Sequence, residues 1–136
     1  GFMGSPPMNL MPVQNTGAGL FNELINLPHD GLSGLGAELV FGLRPEKLQH
    51  AAAVPAHWPK VRGTIELVES LGAELLVHLR GGDSKMIARL PGMQVLTPGD
   101  SLELAFDPAA VYLFDAGTSR RIRPQAQSRT SAERTR

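Results

Sequence analysis

The chain has 136 residues, 42% of them hydrophobic, with 13 basic and 13 acidic side chains and no cysteine. That length buries a core in one domain or in two small barrels without staples, and the lack of cysteine excludes disulfides, thiolate metal sites and thiol nucleophiles. The even charge hides an asymmetry: 7 basic face 12 acidic groups up to Thr118, and 6 face 1 beyond it, so an acidic body carries a basic terminus that reads as a solvated tail.

In chain order, Met8 to Gln14 reads as a strand interrupted at Pro12, which suits an edge position, and Leu20 to Leu27 as a second strand ending at Pro28. The glycine-rich Asp30 to Gly36 stretch reads as a hairpin connection. It is not a phosphate loop, because Ala37-Glu38 follows Gly36 where such a loop needs lysine, then Ser or Thr, at the start of a helix. Glu38 to Leu43 is a strand closed by Arg44-Pro45-Glu46, since proline restricts its predecessor to extended geometry and cannot continue a ladder.

Ala51 to Pro59 is a proline-bounded linker before the clearest strand, Lys60 to Ser70, where Ile65 and Leu67 alternate with polar residues and Val68 and Leu71 break the phase, as at a bulge. Gly72 supplies a turn. Glu74 to Arg80 and Lys85 to Leu90 form a hairpin across Gly81 to Ser84, offering Leu76, Leu79, Ile87 and Leu90 to a core. Pro98-Gly99-Asp100 turns into a strand through Leu102, Leu104 and Phe106 that stops at Asp107-Pro108, and Val111 to Phe114 is the last full strand, with Ile122 pairing once more. About eight short strands with no helical period predict an all-β class, most economically OB-like barrels.

Catalytic chemistry is hard to assemble from these residues. His29, His50, His57 and His78 lack metal-ligand spacing. Glu66 and Glu69 face opposite sides at strand spacing and, with Glu74, read as solvent-facing. Ser5, Ser33, Ser70, Ser84 and Ser101 sit outside any nucleophile elbow. Single-stranded nucleic acid is disfavoured because the chain has few aromatic residues (five Phe, Trp58 and Tyr112), an acidic body, and a basic tail with no aromatics to interleave. No apolar run approaches the ~20 residues of a membrane helix, and the opening Gly1-Phe2-Met3 reads as the interior of a longer protein.

Several segments, taken in order, resemble a known family. Gly1 to Leu10 is similar to the segment that follows the nucleotide-binding domain of sugar-importing ABC transporter ATPases. Phe41-Gly42-Leu43-Arg44-Pro45-Glu46-Lys47-Leu48 resembles that family's G-[IL]-R-P-E-x-[LI] signature, and Val68 to His78 its V-E-x-L-G-x-E-x-x-V-H strand-turn-strand. Pro98-Gly99-Asp100, Phe106-Asp107-Pro108 and Leu113-Phe114-Asp115 complete the series over about residues 1 to 123. The family is the maltose and glycerol-3-phosphate importer type, and the piece is its C-terminal regulatory TOBE region, related to molybdate-binding (MOP-like) barrels.

The resemblance implies two intertwined barrels, about 1–50 and 60–123, before a basic tail at 124–136. It implies a regulatory, dimerising role and no catalysis in this piece, with ATP and magnesium held by a nucleotide-binding domain outside it. The implied partners are the same domain of a second subunit, the ATPase domain, membrane permease subunits and regulatory proteins, without nucleic acid. The implied location is cytoplasmic, peripheral to the inner membrane. Arg44, Pro45, Glu46, Gly72 and Glu74 are the motif residues, given structural or interface work; proline sets a sharp exit, and Arg44 and Glu46 are suited to lock loops by charge-assisted hydrogen bonds. Two rivals remain, a small-anion (molybdate-like) module and a nucleic-acid OB protein; the regulatory reading expects no oxyanion binding.

Overall fold

In the computed structural model, which describes residues 6–123, strand β1 (Asn9–Asn15) buries Asn9, Met11 and Val13 and turns Leu10, Pro12 and Gln14 outward. This period-two alternation gives the strand one dry face and one wet face. It runs antiparallel to β4 (Glu38–Leu43), from Asn9 opposite Leu43 to Gln14 opposite Glu38. The Pro12 carbonyl accepts a 3.0 Å bond from Asn22 Nδ2. Its missing N–H points the same way, off the ladder with β4, where proline is tolerated.

β2 (Gly19–Phe21) and β3 (Ile25–Pro28) form a hairpin. The single strand expected over Leu20 to Leu27 is broken because Asn22 Oδ1 accepts the N–H groups of Leu24 and Ile25 at 2.8 and 2.9 Å, a side-chain turn that competes with extended backbone. Asp30 to Gly36 is a crossover, contrary to the expected hairpin connection, since β3 pairs with β2 and β6 while β4 pairs with β1 and β10. Leu32 drops into the core from this crossover. Asn15 Nδ2 pins it by donating to the carbonyls of Leu32 at 3.1 Å and Gly36 at 2.8 Å.

After a 3-10 turn at Pro45–Lys47 and a short β5 (Gln49–His50), β6 (Lys60–Ser70), β7 (Glu74–Gly81) and β8 (Ser84–Pro91) form a meander. β9 (Ser101–Ala105) pairs with both β5 and β6. After a further 3-10 turn at Ala51–Ala53, the third one, Pro108–Ala110, is capped by Asp107, whose carboxylate accepts the Ala109 N–H at 2.9 Å. β10 (Tyr112–Asp115) and β11 (Arg121–Ile122) finish the chain, with Ile122 pairing opposite Leu113 as the sequence predicts. The main strand order is β11-β10-β4-β1-β2-β3-β6-β7-β8. The stretches expected as two barrels therefore exchange strands: β10 and β11 lie beside β4, β9 beside β5, and β3 beside β6. Phe41 and Phe106, both fully buried, meet edge to face at 5.6 Å in the shared core. The basic tail at 124–136 lies outside the described residues.

The bulge foreseen in β6 falls between Ile65 and Leu67. It turns Leu67 out to 48% exposure and leaves Val68 partly buried against the core. It also corrects the expectation for Glu66 and Glu69, which share the outer face, because the extra residue shifts the side-chain parity by one. On β7 and β8 the core residues are Leu75, Val77, Leu79, Met86, Ala88 and Leu90. Leu76 and Ile87, expected inside, belong to the opposite parity and share the outer face with His78.

Candidate functional site

β4 delivers its chain to Arg44 in extended conformation (φ −72, ψ 144), after which Pro45 starts the 3-10 turn. Pro45 is buried and its turn packs against β8, while Arg44, Glu46 and Lys47 are exposed. The Lys47 N–H donates to the Arg44 carbonyl at 3.0 Å. Arg44 and Lys47 both line one cavity that Glu46 does not reach. Among the described residues neither Arg44 nor Glu46 forms a side-chain hydrogen bond or an ion pair within the chain.

Arg44 lies instead beside an aromatic. Tyr112 on β10 sits opposite Gly42 on β4. A Cβ on Gly42 would come within 2.7 Å of Met8 Sδ and 3.2 Å of Phe114, so the bare backbone lets the outer residues close over the strand. The Tyr112 and Phe114 rings run parallel, 7° apart in plane and 6.5 Å between centroids. Two guanidinium groups attend Tyr112: that of Arg121 at 4.4 Å from the ring centroid and that of Arg44 at 5.8 Å, both inside the range of cation–π attraction. Arg44, Lys47, Arg121, Tyr112 and Asp107 line one cavity of about 310 Å³. Tyr112, Lys47 and Arg121 were not singled out from the sequence. Arg121 counted there with the basic terminus, whereas it is a β11 residue paired opposite Phe114.

The other motif residues lie on the meander. Gly72 takes φ +86 in the β6–β7 turn, with open space where a Cβ would stand, a left-handed backbone that favours glycine. Glu74 lies 3.4 Å from Arg89 Nε. Nearby, Arg80 Nε donates to Glu66 Oε2 at 2.5 Å and His78 Nε2 contacts Glu69 Oε1 at 2.8 Å. The three carboxylates thus each have a basic partner on one outer face. The histidines do not converge, and no group of His, Asp and Glu among the described residues is placed to hold a metal ion. A cavity of about 800 Å³ runs between Leu10, Pro12 and Phe21 and the start of β8 at Asp83 to Lys85, away from the motif residues.

A β-rich sheet of short strands with interlaced halves is an OB-like architecture. A TOBE-domain profile matches residues 41–114, and a profile of the MalK OB-fold domain matches residues 4–48. The chain belongs to the TOBE-domain family. It is 34% identical over 129 residues to the sulfoquinovosyl glycerol transport ATP-binding protein SmoE of Agrobacterium fabrum. It is 37% identical over 125 residues to the sn-glycerol-3-phosphate import ATP-binding protein UgpC of Cereibacter sphaeroides, and 34% over 134 residues to the trehalose/maltose import ATP-binding protein MalK of Thermococcus litoralis. Each match covers 90% of this chain but only 34 to 36% of the relative, so the chain spans about a third of their length. Among solved structures, the molybdate-bound cytoplasmic protein ModG superposes with a TM-score of 0.54 at 15% identity, over 77% of this chain and 94% of that one, a likeness of fold.

Proposed function

We propose that the chain is the regulatory, subunit-pairing domain of the ATP-binding subunit of an ABC importer for sugars or glycerol phosphate. The observation that carries this is the match of 90% of the chain to ATP-binding proteins of sugar and glycerol-phosphate importers. On this reading ATP and magnesium belong to a nucleotide-binding domain elsewhere in the same subunit. The described residues fit neither: the one glycine-rich stretch, Asp30 to Gly36, leads into a strand and offers no phosphate-reaching lysine. Chemistry then lies with that other domain, while this one pairs with its counterpart in a second subunit and receives signals from regulatory proteins. The assembled subunit is cytoplasmic, held at the inner membrane by permease subunits; no described helix is long and apolar enough to cross a membrane.

The test has two arms. The gene should encode a G-x-x-x-x-G-K-[ST] segment upstream of these residues, and its absence would overturn the importer reading. Sedimentation of the chain across concentrations up to the millimolar range should show a monomer-dimer equilibrium. A strict monomer throughout would remove subunit pairing from this domain and assign it to the ATPase part.

A further inference from the structure

We propose that Arg44, Lys47 and Arg121, gathered around Tyr112, form a binding site for a phosphate dianion, free or carried as a phosphomonoester. This departs from the expectation that the regulatory reading carries no oxyanion binding, and it rests on the cluster alone. Three cations line one cavity of about 310 Å³ with a single carboxylate, Asp107. That carboxylate already accepts the Ala109 N–H at 2.9 Å. None of the three cations has an ion-pair partner within the chain among the described residues, whereas Arg62, Arg80 and Arg89 each have one.

The fold also brings the cations to one cavity before any ligand arrives. The backbone bond from Lys47 N–H to the Arg44 carbonyl closes the turn from which two of them reach the cavity lining. Arg121 is fixed by β11 pairing and by its position over Tyr112. Like charges brought together this way repel, and the ring quadrupole offsets only part of that. A doubly charged anion offsets more, and paired guanidinium forks match phosphate oxygens bidentately. The sequence hid this arrangement because 74 residues separate Lys47 from Arg121 and only the β4–β10–β11 pairing joins them.

Calorimetric titration of the chain at constant ionic strength, with inorganic phosphate, glycerol phosphate and chloride as probes, tests the site. Saturable binding of either phosphate species supports it, and the tighter of the two identifies the source. Arg44→Gln, Lys47→Gln and Arg121→Gln should each weaken binding by about tenfold or more, while Arg62→Gln leaves it unchanged. Thermal unfolding without anion keeps a misfolded variant from counting as a binding defect. A signal that never saturates, equal competition by chloride, or full affinity in all three cluster variants would overturn the proposal. None of those results touches the monomer-dimer equilibrium, so the regulatory reading stands or falls separately.

Discussion

The two outer faces of this curled sheet handle charge in opposite ways. On the β6–β7–β8 face, Glu66 meets Arg80 and Glu74 meets Arg89, so each strand pair is laced by opposite charges, with a Glu69–His78 contact beside them, and the face reads as solvated sheet surface. On the β4–β10–β11 face, Tyr112 and Phe114 lie half-buried with parallel rings, and Arg44 and Arg121 cluster at one ring with no ion pair to a carboxylate in the described residues. Self-satisfied charge stabilises a surface; unanswered charge in a cavity is available to something else. The acidic carboxylates that look chemical in the sequence are therefore the quiet ones, and arginines that look like a motif end and a tail make the more reactive surface.

The largest effect should come from the residue that joins the two faces. Asn9 is a buried polar side chain on β1 whose amide donates to Leu43 O at 3.1 Å and Ile87 O at 2.9 Å and accepts from Ile87 N–H at 2.8 Å. It pairs with Ile87 as a neighbouring strand would, at the edge where β8 has only β7 beside it. Asn9→Ala leaves those backbone groups without partners and should cost about 2–4 kcal/mol in urea unfolding. Amide exchange should rise in β8 before it rises in β10. An unchanged urea midpoint would mean that the faces are held together elsewhere.

Next in size is a steric test of the same joint. A Cβ on Gly81 at the end of β7 would lie 2.7 Å from the Glu23 carbonyl oxygen and 3.0 Å from Leu24 Cδ2. Because backbone cannot step aside as a side chain can, Gly81→Ala should destabilise by about 1–3 kcal/mol. Equal stability to the parent chain would show that the β2–β3 turn is not packed on the meander.

Much of the strand pattern was legible because alternation and proline are local signals. The bounds of β4 and β6 follow from Pro45, Pro59 and the turn at Gly72, each acting on its neighbours. What was not legible depended on register or on pairing across the chain. One extra residue in β6 put Glu66 and Glu69 on the same face, and Leu76 and Ile87, apolar but of opposite parity to Leu79 and Leu90, fell on the outer face. Asn22 broke an apolar run through its side chain, which periodicity does not register. The candidate site was half visible: Arg44-Pro45-Glu46 stands out as a motif, but Tyr112 and Arg121 join it only through sheet order, a long-range property with no signal near either residue.

The difference between the faces can be measured as a difference of sign. A double-mutant cycle on Glu66 and Arg80, half-exposed partners on the laced face, should return an attraction of about 0.2–1 kcal/mol that shrinks in salt. The same cycle on Arg44 and Arg121 in anion-free buffer should return a repulsion of smaller size. Attraction in both cycles would erase the contrast.

The smallest effect concerns the turn that presents Arg121. Asp115 ends β10, and its Oδ1 accepts the N–H groups of Gly117 at 2.8 Å and Thr118 at 2.9 Å, while its own N–H donates to the Arg120 carbonyl at 2.8 Å. The bond from Thr118 first, and that from Gly117 second, hold its carboxyl below the usual aspartate value. A group whose pKa is lower folded than unfolded adds stability that is complete above the unfolded pKa and is lost as pH falls through the folded one. Acid should therefore loosen the β10–β11 turn before it disturbs the meander, and the Arg121 amide should report this in a proton NMR titration at the pH where Asp115 protonates. Asp115→Asn, which keeps an acceptor oxygen and removes the charge, should flatten that response while leaving the fold intact. If Arg121 instead titrates identically in both proteins, the turn does not govern its position, and the aromatic contact with Tyr112 alone must hold it over the cavity.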